Sequence, residues 1–340
     1  MVGRRWSLAW NSALYGTEGF YRRQTPGAHF ATSVSGVPGT TQVMADALCE
    51  FMDRQRLQRF LDLGAGSTGL AVCMASRRPG MPVVAVDIRP SSGPGDADSR
   101  GSSASRVKWI DVCPGTPGRP VLRRLLSSLS ETLVFAHEWL DVLPCDIAEV
   151  GPDGSLRYVL FDSADGREVL GPPLTGRDSR WCRRYWPWSH LTVGDRLDIG
   201  RSRDEWWAFV VRSLRSGVAI AVDYGHTIAA RPHGSTVAGY RGGRSVPPIP
   251  DGSCDITAQV SMDSLPARCV IEQRAVLACL GVRSDPPNPS TAAADPTGYL
   301  LALSRRAAGA ALLGPGYGDA LWAISTAGSD RPATAQEVLV

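Results

Sequence analysis

The chain has 340 residues, enough to bury a proper core as one large α/β domain or as two domains, and its formal charge of +3 is small for that length. Lys108 is the single lysine, and no run of arginines is interleaved with stacking aromatics, which argues against nucleic acid as a partner. No stretch approaches the ~20 apolar residues of a membrane span, no signal core follows Arg4 and Arg5, and the eight cysteines form neither a C-x-x-C pair nor a Cys–His cluster, so a cytoplasmic, reduced protein with no membrane partner and no structural metal is expected.

The first residues are rich in aromatics. Trp6, Trp10, Tyr15, Phe20 and Tyr21 suggest a short helix ending in a turn, followed by an ordered loop from Gly27 to Gly39. From Thr40 toward Phe60 the apolar residues Val43, Met44, Ala47, Leu48, Phe51 and Met52 recur at helical spacing. Phe60 to Leu63 then suits a buried strand. Three glycines follow where the chain must turn sharply and let a ligand approach its backbone. Ser67 can cap a helix that continues over Leu70 to Ser76 and stops at Arg77-Arg78-Pro79-Gly80. Met81 to Val86 reads as a second strand ending in Asp87. This is the strand, glycine loop, helix, strand and acid of a nucleotide-binding unit.

Which nucleotide it takes depends on the acids. Gly64, Gly66 and Gly69 spell G-x-G-x-x-G, and Asp87 lies 18 residues beyond Gly69, so a nicotinamide cofactor and a plain glycine turn both have to be weighed. Asp62, two residues before the first glycine, argues against a pyrophosphate, because like charges at short range disfavour each other. S-adenosylmethionine carries an ammonium and a sulfonium and no phosphate, so a carboxylate there helps. Asp87 would accept from both ribose hydroxyls. The two acids together favour S-adenosylmethionine over NAD.

After a Ser-, Gly- and Pro-rich loop from Pro90 to Ser105, Val107 to Ile110 is expected as a third strand ending in Asp111. A helix marked by Val121, Leu122, Leu125, Leu126 and Leu129 leads to a fourth strand, Leu133 to Ala136, and then to His137-Glu138-Trp139-Leu140-Asp141. This rhythm implies a mostly parallel, doubly wound sheet with ligands at the carboxyl ends of its strands. Gly64–Gly69, Asp87, Asp111 and His137–Asp141 should therefore converge on one edge. Ile147–Val150, Leu156–Phe161 and Arg167–Leu170 read as a meander inserted after the fourth strand. The Trp181–Trp188 cluster reads as lid packing rather than an aromatic cage. A helix over Glu205–Leu214 precedes a fifth strand, Val218–Val222, which ends in Asp223-Tyr224-Gly225-His226. Residues 231–257 look like a polar excursion. Val270–Gly281 and Tyr299–Leu313 are expected as helices, and Leu321–Ile324 as a closing strand.

Several of these segments, in this order, resemble the MidA-like (DUF185) family of class I S-adenosylmethionine-dependent methyltransferases. That family includes the mitochondrial protein-arginine methyltransferase that assists respiratory complex I assembly. The resemblance rests on Ala13-Leu14-Tyr15-Gly16 through Gly19-Phe20-Tyr21, on Gly27–Ser33 and on Leu61–Leu70. It continues through His137–Pro144, Asp223-Tyr224-Gly225, Gly234-Ser235-Thr236, Gly239-Tyr240-Arg241, Asp255-Ile256-Thr257-Ala258, Gln273, and Leu313-Gly314 to Gly318. It implies a class I, Rossmann-like, doubly wound core over 40–146 and 201–226. An N-terminal cofactor-covering segment (1–39), an inserted substrate-capping region (147–200 and 227–268) and C-terminal core elements (269–340) would complete it.

The resemblance and the residue reading together give a cofactor set of Thr32, Asp62, Gly64, Ala65, Gly66, Ser67, Gly69, Asp87 and Asp111. S-adenosyl-L-methionine is the cofactor and S-adenosyl-L-homocysteine the product. A protein arginine is the implied acceptor, with a homodimer allowed. A guanidinium, whose pKa exceeds ~12, is better oriented by carboxylates than deprotonated outright. Glu138 is the first choice for that role and Asp141 the second, with His137 as a base or a hydrogen-bonding group. Asp223, Tyr224, Tyr240, Arg241, Asp255 and Thr257 would line the substrate side. His137 stands where the family usually has asparagine, and Ala28-His29 and Val34-Ser35-Gly36 also depart from its pattern. A non-catalytic assembly protein that keeps the fold is the alternative reading.

Overall fold

The computed structural model describes residues 3–24, 32, 34, 36–66, 69–88, 107–112, 118–162, 166–187 and 191–328. Ser67 and most of the Gly27–Ser33 loop lie outside the described residues, as do the segment 90–105 and Trp188. Seven strands form the main sheet. They are β1 (Arg59–Leu63), β2 (Val83–Asp87), β3 (Val107–Asp111), β4 (Thr132–His137), β5 (Gly217–Asp223), β6 (Cys269–Glu272) and β7 (Leu321–Ala327). Their order across the sheet is β6-β7-β5-β4-β1-β2-β3. Strands β3, β2, β1, β4 and β5 pair in parallel, while β7 runs antiparallel to both β5 and β6.

The parallel strands are apolar on both sides, as buried parallel strands must be. All seven residues of β5 are buried. The pleat sends Phe60 to one apolar cluster and Leu61 and Leu63 to the other. Helices α2 (Thr40–Arg54), α3 (Gly69–Arg77), α6 (Gln273–Cys279) and α7 (Pro296–Leu313) supply the first cluster. Helices α4 (Arg119–Ser128) and α5 (Arg201–Ser213) supply the second.

Three expectations change. Val270–Glu272 is not the start of a helix but strand β6, and the helix begins only at Gln273. Val270 and Ile271 favour a pleated surface, and β7 offers them a free edge to pair with. The polar excursion holds a three-stranded sheet of Ala238–Arg241, Arg244–Val246 and Asp255–Thr257. The inserted meander gains a fourth strand, Arg196–Ile199, and also takes in the two-residue strand Arg4–Arg5. Helix α1 (Trp6–Tyr15) therefore packs on the insertion: Trp6, Trp10 and Leu14 share a cluster with Ile147, Val159 and Ile256. Trp181 and Trp186 are buried in the insertion's own core beside Leu197 and Ile199.

Candidate active site

Register places the carboxyl ends of β1, β2, β3, β4 and β5 along one edge. Leu63 pairs with Val86 and Ala136, Asp87 with Asp111, and Val222 with His137. The chain leaves β1 through Gly64 (φ 78°) and Gly66 (φ 53°), both in the left-handed region that glycine tolerates. Gly64 has a second reason to lack a side chain, because a Cβ there would stand 2.4 Å from Cδ1 of Trp139. At Gly66 the same construction meets nothing within 4 Å, so the loop faces open space. The backbone N–H of Gly66 donates to Oδ2 of Asp87 at 2.6 Å, and the N–H of Ile88 donates to Oδ1 at 2.6 Å. Asp87 is thus fixed beside the loop. Asp111 is exposed one strand away, and Thr32 accepts a backbone hydrogen bond from Gly36.

Asp62 differs from the expectation. Its pleat position sends the carboxylate under the loop, where it is 3% exposed and accepts from the N–H of Ala71 in the first turn of α3. A helix N-terminus is a favourable place for an anion. Burial and the neighbouring Asp87 nevertheless push its pKa up to about 7.

The segment after β4 is built around a bend. Glu138 takes φ 49°, a conformation that costs a non-glycine residue energy and recurs at functional sites. Its N–H donates to Val222 O at 2.8 Å. The Glu138 side chain stays 12% exposed, with Oε1 3.8 Å from Nε2 of His137. His137 is 7% exposed and ring-stacked on Phe135, and burial lowers its pKa to about 3, so it is neutral near pH 7.

Asp223 is fully buried beneath this bend, and its Oδ2 accepts from the N–H groups of Leu140 (2.9 Å) and Asp141 (3.3 Å). Burial and the carboxyls of Asp141 and Glu138 raise its pKa strongly. Burial also raises Asp141. Asp255, 1% exposed, accepts from Tyr21 Oη at 2.8 Å and is pushed up to about 8, mainly by burial. Tyr240 and Arg241 lie on the small sheet's Ala238–Arg241 strand, half-buried and exposed respectively. Thr257, half-buried, ends the neighbouring Asp255–Thr257 strand. Tyr224 follows β5, with burial as the main cause of its raised pKa. Asp223 and Asp255 therefore hold backbone and Tyr21 in place, whereas Glu138 keeps access to solvent.

Sequence reasoning missed Arg203. This buried side chain donates to the carbonyls of Leu143 (2.9 Å), Ala258 (2.9 Å), Gln259 (3.1 Å) and Asp141 (2.6 Å). It ties the bend after β4 to the segment following Thr257. Nothing in its local sequence announces this, since all four acceptors are carbonyls 55–62 residues away.

An edge that gathers Asp87, Asp111 and Glu138 around an open glycine turn is suited to a cationic nucleoside and ill suited to a pyrophosphate. Residues 54–282 match the sequence model of a family described as "Putative S-adenosyl-L-methionine-dependent methyltransferase". The chain belongs to this family. The cofactor of this methyltransferase family is S-adenosyl-L-methionine, which sets aside the nicotinamide reading.

Among solved structures, the chain is similar to a COG1565 superfamily member from Burkholderia thailandensis bound to S-adenosyl-homocysteine. The two share 20% identity at a TM-score of 0.70, covering 99% of this chain and 90% of that one. A second structure of a COG1565 superfamily protein from the same organism gives 19% identity, a TM-score of 0.69 and the same coverage. At such identities the likeness speaks for the methyltransferase fold. Comparison with curated proteins found no match. No helix among the described residues is long and apolar enough to cross a membrane.

Proposed function

We propose that this methyltransferase transfers a methyl group from S-adenosyl-L-methionine to the guanidinium of a protein arginine, with Glu138 as the catalytic carboxylate. The sheet order and the helices on both faces support reading the core as a class I, doubly wound, Rossmann-like one, capped by the inserted sheet. The carrying observation is the state of Glu138. Among the acids at the end of β4 and β5 it alone combines a strained left-handed backbone with a side chain that still reaches solvent, while Asp223 is buried under it.

The cofactor, when bound, supplies an electrophilic methyl on a sulfonium, and the acceptor nitrogen forms its new C–N bond as the C–S bond breaks. The protein's part is alignment and charge. Gly64, Ala65 and Gly66 leave room for the nucleoside, and Asp87 accepts from the ribose hydroxyls. Asp62 places negative charge beneath the ammonium, and Asp111 stands at the adenine side. Glu138 holds the guanidinium by bidentate hydrogen bonds, offsets its positive charge, and takes the proton that the methylated nitrogen sheds, passing it to the solvent its side chain reaches. His137, neutral and buried, lies beside Glu138 and is not the base. Tyr224, Tyr240, Arg241 and Thr257 flank the acceptor. All described cysteines are free, which supports a reduced, cytoplasmic setting.

The test is methyl incorporation from labelled cofactor into arginine-containing and lysine-containing peptides, by wild type and Glu138→Gln. Label only on arginine, lost with Glu138→Gln while cofactor binding stays within about twofold, supports the proposal. Label on another residue type would end the arginine assignment and leave the cofactor site standing.

A further inference from the structure

Helices α4 and α5 lie side by side on one face of the sheet, joined through Leu122, Leu126, Phe209 and Val210. Between their carboxyl-terminal halves runs a groove lined by Arg123, Ser127, Phe209, Arg212 and Ser213. Ser128 and Ser213 end these helices just before β4 and β5 begin, so the groove lies toward the amino ends of the strands, opposite the candidate active site.

Its charge is one-sided. Helix α4 contains no acid. On α5, Asp204 accepts from Trp181 Nε1 and Ser264 Oγ, and Glu205 pairs with Arg201, all at the far end of the helix. Arg119, Arg123, Arg124, Arg212 and Arg215 have no carboxylate partner among the described residues. The guanidinium of Arg119 lies 4.3 Å from the Trp206 ring centre and 5.3 Å from that of Phe209, and Arg123 lies 5.4 Å from Phe209. Stacking occupies the face of a guanidinium and leaves its N–H edge directed outward.

We propose that this groove docks an acidic segment of a protein partner, its carboxylates taken by the outward edges of Arg123 and Arg212, with Arg119 beside the groove. Paired N–H donors in a fixed plane match carboxylates, and the hydroxyl of Ser213 adds a donor at the groove wall. Single-stranded nucleic acid fits less well. Phe209 is only 5% exposed, and the Arg119 guanidinium lies over the Trp206 ring, which leaves a base little aromatic face to stack on.

This inference goes beyond the methyl-transfer reading, and its test needs no turnover. Fluorescence polarisation of a labelled polyglutamate peptide of about ten residues is measured against wild type, Arg123→Glu/Arg212→Glu and Arg180→Glu/Arg184→Glu. The last pair lies exposed on the helix Gly176–Tyr185 and makes the same change in net charge. Folding of each variant is checked by circular dichroism. The groove variant should bind at least ~10-fold more weakly and the control within ~2-fold of wild type, with affinity falling as salt rises. The proposal is overturned by no peptide binding, by equal losses in the two variants, or by single-stranded DNA binding more tightly with the same dependence on Arg123 and Arg212.

Discussion

Cδ1 of Trp139 occupies the space in which a side chain on Gly64 would begin, at 2.4 Å from where its Cβ would stand. The indole after β4 thereby backs the glycine loop after β1, and it also meets Trp206 of α5 edge-on, with ring centres 6.1 Å apart. One ring couples the glycine loop after β1 to the bend after β4.

Gly64→Ala should therefore be severe. A Cβ adds a left-handed backbone penalty of ~1–2 kcal/mol and an overpacking penalty of ~1–3 kcal/mol. Denaturant unfolding should show a loss of about 2–5 kcal/mol, and calorimetry should show no cofactor binding. Adding Trp139→Ala, which removes Cγ and Cδ1, should not restore binding, because the backbone penalty remains. Full recovery would show that the clash alone matters.

Asp62 carries a pH dependence whose sign is set by its raised pKa. The folded value is about 7 against an ordinary 3.8, so the stability it allows is fully present below about pH 4 and is lost as pH rises through 7. Asp62→Asn should make the cofactor-free protein more stable at pH 8, by ~2–4 kcal/mol, with the gap closing toward pH 4. The same variant should bind S-adenosylmethionine more weakly. In the wild type, affinity for that cation should improve as pH rises through 7. A variant less stable than wild type at pH 8 would contradict this account.

His137 works in the other direction. Its folded pKa of about 3 lies below the unfolded 6.5, so its contribution is present above 6.5 and fades as pH falls, because only the unfolded chain takes the proton. His137→Asn should remove ~2 kcal/mol of the stability lost between pH 7 and pH 5. In a methyl-transfer assay it should leave the pH profile unshifted. Loss of a limb near pH 6.5 would restore the histidine as a base.

Arg203→Met should cost ~3 kcal/mol or more, since it strips donors from four carbonyls in a buried setting. Hydrogen exchange should rise at Ala258, whose N–H donates to Asp141 O, and at Leu140, held by Asp223. Arg203→Lys should recover part of both. A cost below ~1 kcal/mol would mean that water replaces the guanidinium.

Much of this protein was legible from its chain alone. The apolar runs Phe60–Leu63, Val107–Ile110, Leu133–Ala136 and Val218–Val222 all became strands, and their carboxyl ends meet at one edge as alternation with helices requires. The cofactor followed from acids placed about a glycine turn. These are short-range signals: a period of two or 3.6 residues, a residue able to adopt positive φ, a charge a few positions away.

Other features depend on partners far along the chain. Val270–Glu272 carries apolar residues compatible with a helix and becomes a strand only because β7 leaves an edge to pair with. Asp62 and Asp223 read equally well as ligand groups, until the pleat turns one beneath α3 and burial commits the other to the amides of Leu140 and Asp141. Arg203 has no motif at all. Composition, periodicity and the spacing of glycines and acids determined the sheet and the kind of nucleotide it accepts. Only the packed structure decided which acid stays reachable, because burial and hydrogen-bond partners depend on segments that local sequence does not bring together.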